Sequence, residues 1–192
     1  MSALAAEAGQ GWDDVVRLWH EMDWPEGCKV EIIEGIITVA PSPANQHNSI
    51  AEMIQRRLYQ VIPEDWGVYQ TQAVAVPARS GMYIPDLLVA PKAALRGPGH
   101  YIPAPMAELV VEITSQSNAN HDRIAKCAGY ATAGVPLYLL VDRWAAGGPT
   151  VTLYGEPSDS VYRVLRAAKF GDQMHLPFPF DLTLDTDEFL LG

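Results

Sequence analysis

The chain has 192 residues, 48% of them hydrophobic and 19% charged, with a formal net charge of −10. This is a globular composition with enough chain for a sizeable core, and it excludes a low-complexity or collagen-like polymer. The acidic balance argues against indiscriminate phosphate binding, although a local basic patch or a bound metal ion can reverse the field at one site.

At the N terminus, MSALAAEAGQ lacks a cationic start followed by an apolar core, so no signal peptide is expected. GWDDVVRLWHEM predicts a short helix with Asp13 as N-cap and Val16, Leu18 and Trp19 among its core positions. Two β-branched runs, Lys29 to Ile33 and Ile36 to Ala40, flank Glu34-Gly35 and predict a tight hairpin. After PSPANQH a helix is predicted whose apolar stripe is Ile50, Ile54, Leu58 and Val61, ended by Pro63. GVYQTQAVAVP alternates as one strand. MYIPDLLVA reads as another, with Pro85-Asp86 leading into a buried Leu87 to Ala90. Residues 91–105 carry four prolines and two glycines and read as a long loop.

Glu108 to Ile113 is a continuous apolar strand of the kind covered on both faces. Cap candidates at 115–118 precede a helix predicted from about Ala119 to Thr132, with Gly134 as its C′ residue. Pro136 to Val141 is a second buried strand, too short to cross a membrane. Strand, helix and strand over 108–141 make a βαβ unit, hence a parallel pair with a right-handed crossover. TVTLYG, VYRVLRAAKF and LTLD then return to β structure. Cys28 and Cys127 form no metal-ligand spacing and no disulfide framework, which suits a reducing, cytoplasmic setting. The chain reads as one α/β domain over 1–192, a mixed sheet with helices packed on it. Its core spans about 28–142, and a C-terminal β extension covers 150–190.

A lone carboxylate in an apolar strand is costly to bury, so Glu112 calls for partners. If the strands led by Asp86 and containing Glu112 are neighbours, the two carboxylates converge at one edge of the sheet. Such a pair takes up a proton or a cation, and oxygen ligands favour Mg²⁺ or Mn²⁺. Asp122, Lys126 and Tyr130 recur at i, i+4 and i+8 on one helix face, which could look back at the strand ends. A lysine there would stabilise developing charge or orient a nucleophile. The plainer reading stands beside this one: hydrogen-bonded or solvated carboxylates at strand ends, and a simple helical ion pair. The sequence holds no Gly-rich phosphate loop, zinc spacing or G-x-S-x-G elbow.

EIIEG, APSPANQH, IPDLLVA, LVVEITSQS, the D…K…Y set and AGVPLYLLVD follow one another between about Val30 and Asp142. In order and spacing they resemble the putative restriction endonuclease family of the PD-(D/E)XK nuclease superfamily. The resemblance implies a restriction-endonuclease-like mixed sheet flanked by helices and a metal-dependent endodeoxyribonuclease that hydrolyses phosphodiester bonds. It makes Asp86 the acid of the PD pair and Glu112 the acidic member of the (D/E)XK element. Both would bind Mg²⁺ or Mn²⁺, with the Ile113 carbonyl as a further ligand and DNA as the substrate. Thr114 stands where the superfamily has lysine. Many members of this family carry that lysine on the following helix, and Lys126 matches the position, followed by Tyr130 in a K-x-x-x-Y spacing. Ser115-Gln116-Ser117 replaces the family's Ser-Pro-Ser.

Glu31 resembles an upstream acid that reaches the metal; its alternative is a solvent-facing strand residue. His47 matches a family histidine at the helix start, or is a cap, and Asp122 is a possible accessory. Arg56 and Arg57 either contact phosphate or are solvated. A homodimer is expected for a nuclease that cuts both strands. Two other functions remain open. One is a catalytically silent nuclease-fold module that binds nucleic acid or protein, favoured by the acidic balance and the lack of an extended basic run. The other is a metal-dependent hydrolase of a small phosphoester, because fold resemblance alone does not fix function.

Overall fold

A computed structural model describes residues 2–5, 11–24 and 26–190; most of the stretch read for a signal peptide lies outside them. The first sheet is built on the predicted hairpin. β1 (Ser2–Ala5), β2 (Lys29–Ile33) and β3 (Ile36–Ala40) run antiparallel. Glu34 and Gly35 take φ of 51° and 78°, the left-handed pair that a two-residue hairpin turn requires. Helix α1 (Trp12–Glu21) packs Val15 and Val16 onto this sheet, while Leu18 and Trp19 are half-buried. Its N-cap is Gly11 rather than Asp13, which lies in the first turn where a carboxylate complements the helix dipole. Helix α2 (Asn45–Leu58) buries the predicted Ile50, Ile54 and Leu58, and Val61 is half-buried beyond its end.

Both runs expected as single strands are broken. GVYQTQAVAVP divides at Thr71, whose φ of 61° interrupts extended backbone, into β4 (Trp66–Tyr69) and β5 (Ala73–Val76). MYIPDLLVA divides at Pro85, which has no N–H for a ladder, into β6 (Gly81–Tyr83) and β7 (Leu87–Pro91). The predicted loop over 91–105 contains β8 (Tyr101–Pro103), parallel to β5. β9 (Leu109–Ile113) and β10 (Leu137–Asp142) form the predicted parallel pair. Between them the predicted helix opens with a π-helical turn, His121–Lys126, before α3 (Cys127–Thr132), and Gly134 ends it at φ 73°. β11 (Thr150–Ser158) and β12 (Val161–Lys169) extend the sheet antiparallel. β13 (Gln173–Leu176), absent from the sequence reading, pairs with β14 (Leu182–Asp185).

The α/β class and the mixed sheet are as expected, and the chain builds two such sheets. Their orders are β1-β3-β2-β6-β5-β8 and β12-β11-β10-β9-β7-β4, with the β13–β14 hairpin separate. β4 and β7 join the second sheet, β5 and β6 the first, which is why each run had to break. Among the described residues no helix is long and apolar enough to cross a membrane.

Strand β9 positions the site. Successive side chains of a strand point to opposite faces. Leu109, Val111 and Ile113 therefore enter a cluster with Ile50, Ile54 and Leu58 of α2, while Val110 enters another with Tyr83, Tyr130 and Tyr138. Each large aliphatic side chain so buried stabilises the fold by about 1.5–3 kcal/mol. Tyr130 and Ala131 of α3 share the second cluster with Val74 and Val76 of one sheet and Val110 and Leu140 of the other, so α3 is held between the sheets. A Cβ at Gly129 would collide with the Tyr83 ring, so glycine is what allows this close approach.

Candidate active site

β7 and β9 are antiparallel, with Leu87 opposite Val111. Asp86, just before β7, thus stands beside Glu112. The Asp86 N–H donates to the Val111 carbonyl (3.1 Å), and the Ile113 N–H donates to Asp86 Oδ2 (2.8 Å). His47, near the start of α2, brings its Nε2 to 3.1 Å from the same oxygen. Glu112 is 1% exposed. Its Oε1 accepts from the Tyr130 hydroxyl (2.7 Å) and from Lys126 Nζ (3.1 Å). The Lys126 ammonium also lies 2.8 Å from Glu31 Oε1 and 3.3 Å from Asp122 Oδ1. Glu31 Oε1 accepts in addition from the Ile84 N–H at 2.7 Å. The π-helical turn is fixed by Tyr138, whose hydroxyl donates to the Asp122 carbonyl at 2.9 Å.

Asp86, Glu112, Lys126, Glu31, His47, Asp122 and Tyr130 therefore meet in one cluster. Glu31 is buried rather than solvent-facing, and His47 is buried rather than a cap: α2 has Ala44 at its N-cap and no side-chain cap bond. Ile113 lines the cavity above the cluster. Arg56 and Arg57 stay apart from it. Arg56 is exposed and lies 3.6 Å from Glu52, and Arg57 donates to the Thr183 carbonyl.

The sequence matches over residues 17–187 a family described as Uma2, "Putative restriction endonuclease". The chain belongs to the Uma2 family. Among solved structures, a crystal structure of a putative nuclease belonging to DUF820 from Anabaena variabilis is similar in fold, with a TM-score of 0.68. The match covers 95% of this chain and 98% of that one at 17% sequence identity. No curated protein matches the sequence.

One cluster member of this Uma2 chain escaped the sequence reading. Lys29 Nζ lies 3.1 Å from Asp86 Oδ1 and 3.8 Å from Glu112 Oε2. Its signal was the K-x-E spacing of β2, which puts Lys29 and Glu31 on one face. Its partners, however, lie 57 and 83 residues away on the second sheet. Thr114, where the superfamily pattern has lysine, turns elsewhere. Its hydroxyl donates to Asp142 Oδ1 (3.2 Å) and accepts from the Arg143 N–H (3.1 Å), while Arg123 holds Asp142 through two bonds of 2.7 and 2.8 Å. The ammonium beside Glu112 is supplied by Lys126 instead.

Electrostatics divide the carboxylates. Burial pushes Glu112 up to about 8, helped by Asp122 and Asp86 and opposed by Lys126 and Lys29. Burial likewise raises Asp122. At Asp86 burial is outweighed by Lys29, His47 and the Ile113 N–H, which hold the carboxyl well below its usual range. Glu31 is also lowered, Lys126 and Lys29 overcoming its burial. Both lysines are raised, because the surrounding carboxylates outweigh their own desolvation. Four carboxylates facing two ammoniums leave two negative charges when all are ionised, an excess that a proton or a cation relieves.

This donor set fits a hard divalent cation. Asp86 and Glu112 offer only oxygen, the ligand type such an ion prefers, and the space between them is held in this structure by the Lys29 ammonium. Among the described residues no three His, Cys, Asp or Glu side chains are arranged to hold a metal by themselves. A cavity of about 280 Å³ opens over the pair, with Ser115, Gln116, Arg143 and Trp144 also in its walls.

Proposed function

We propose that the protein is a Mg²⁺- or Mn²⁺-dependent endodeoxyribonuclease that hydrolyses phosphodiester bonds. The observation that supports this most is the meeting of Asp86, Glu112 and Lys126, from two strands and a helix, beneath one cavity. Asp86 and Glu112, with the Ile113 carbonyl, would hold the ion. Bound there, it supplies Lewis-acid activation of the phosphate and of the attacking water. Tyr130 and Lys126 fix the Glu112 carboxylate through Oε1. Lys126 adds positive charge where negative charge develops on the phosphate. Lys29, His47 and the Ile113 N–H favour the ionised form of Asp86 over its burial. Arg143, in the cavity wall, offers a guanidinium to a substrate phosphate.

DNA as the substrate rests on the nuclease family to which the chain belongs. Cutting both strands with one site per chain calls for a homodimer. The two free cysteines suit a cytoplasmic setting. The test is a cleavage assay on supercoiled and linear DNA with Mg²⁺ or Mn²⁺. Wild type is expected to cut only with metal, and Asp86→Ala is expected to cut neither substrate; equal cleavage by both would overturn the site assignment. A second reading, a catalytically silent module that binds nucleic acid or a protein, is favoured by the Lys29 ammonium already spanning Asp86 and Glu112. Calorimetric titration with Mn²⁺ separates the two, since Glu112-dependent binding belongs to the nuclease alone.

A further inference from the structure

We infer that Lys29 is a tethered counter-cation that competes with the divalent ion for Asp86 and Glu112 and so sets the affinity of the site for it; this rests on the metal-dependent reading above. The oxygens of the pair are divided between two sets of partners. Asp86 Oδ2 receives the Ile113 N–H and His47, and Glu112 Oε1 receives Tyr130 and Lys126. The other two oxygens, Asp86 Oδ1 and Glu112 Oε2, are those that Lys29 Nζ faces, at 3.1 and 3.8 Å. An ion entering between the carboxylates would take these same two oxygens. Mg²⁺ binds oxygen at about 2.0–2.1 Å, so it and the ammonium cannot share the point. At such range their like charges also repel strongly.

The two lysines of the cluster are held differently. Lys126 is 3% exposed and locked between three carboxylates. Lys29 is 23% exposed, faces two carboxylates, and lines the active cavity together with a second cavity of about 260 Å³ that shares His47 and Asp86 with it. That second cavity, bordered by Ser42, Gln70 and Thr71, gives a flexible four-carbon stem somewhere to carry its charge when an ion arrives. Without the ion Lys29 keeps the two carboxylates from repelling each other; with it, the ammonium withdraws.

The test is calorimetric titration of the full chain with Mn²⁺, for wild type, Lys29→Met, Lys29→Gln and Asp86→Ala, with thermal unfolding of each in metal-free buffer and in excess Mn²⁺. Removing the competing charge is expected to tighten Mn²⁺ binding by about tenfold or more in either Lys29 variant. The unfolding midpoint of those variants should fall without metal and recover with Mn²⁺, while Asp86→Ala should lose the binding. Mn²⁺ binding that needs Asp86 but is unchanged or weakened in both Lys29 variants would overturn the role of Lys29 and leave the metal site standing. No Mn²⁺ binding by wild type or either Lys29 variant would overturn both.

Discussion

Adjacent residues of β9 build two unlike faces. Leu109, Val111 and Ile113 meet α2 and the Leu139 and Val141 side chains of β10 in an aliphatic layer. That layer asks only for close packing. Val110 enters a cluster with four buried tyrosines, Tyr83, Tyr130, Tyr138 and Tyr162, and Glu112, two residues further along, enters the carboxylate–lysine cluster. On this side three tyrosine hydroxyls depend on a partner, Tyr130 on Glu112, Tyr138 on the Asp122 carbonyl and Tyr162 on the Val135 carbonyl, while the buried Tyr83 hydroxyl has none among the described residues. Area stabilises the first face unconditionally. The second depends on its polar network as well, where losing the partner of a buried charge costs more than losing a methylene. One strand thus carries anchorage on one side and the candidate site on the other.

The largest effect that would sharpen this contrast is expected from Lys126→Met. It leaves Glu31, Glu112 and Asp122 buried around a missing charge, and should cost about 3–5 kcal/mol in chemical unfolding. A loss no larger than that of Leu139→Ala would mean that the polar face is no more demanding than the aliphatic one. Substitutions at Lys126 consequently report on folding as well as chemistry. Leu139→Ala, on the aliphatic face, should cost about 2–5 kcal/mol, by the same amount with and without Mg²⁺. A metal-dependent loss there would break the contrast. Tyr130→Phe removes one of the two donors to Glu112 Oε1 and should cost about 1–3 kcal/mol, read by the same unfolding.

The smallest effect is at Asp142, at the end of β10. Burial opposes its charge, but Arg123, the Trp144 N–H and Thr114 hold the carboxyl below its ordinary value. A folded value below the unfolded one, about 3.9, means that the stabilisation is present above that pH and is lost as pH falls through the folded value. Asp142→Asn should therefore flatten the acid limb of a melting-midpoint profile below about pH 4. An unchanged limb would show that the pair carries no such linkage.

Much of this architecture was legible because the decisive signals are local. The hairpin at Glu34-Gly35 and the stripe of α2 each declare themselves within a dozen residues, and the β9-α3-β10 unit is a run of three consecutive elements. The i, i+4, i+8 spacing brought Asp122, Lys126 and Tyr130 to one face, where they gather about Glu112. The rest depends on which sheet a segment joins. GVYQTQAVAVP carries three successive polar residues, Gln70-Thr71-Gln72, at the break, but no glycine or proline there announces that its halves part between two sheets. β8 is three residues long and β13 reads QMHL, too short or too polar to stand out. Lys29 was hidden because its carboxylate partners belong to the other sheet. The burial of His47 and Glu31 likewise follows from long-range packing, and local pattern carries no trace of it.

The most direct measurement of the central claim compares two neighbours in β9, Val111→Ala and Glu112→Gln, by the Mg²⁺-dependent rate of plasmid cleavage per folded molecule. The account predicts a near wild-type rate for Val111→Ala, which loses only packing, and a fall of about a hundredfold or more for Glu112→Gln. A Glu112→Gln protein that cuts like wild type, or equal losses in both variants, would contradict it.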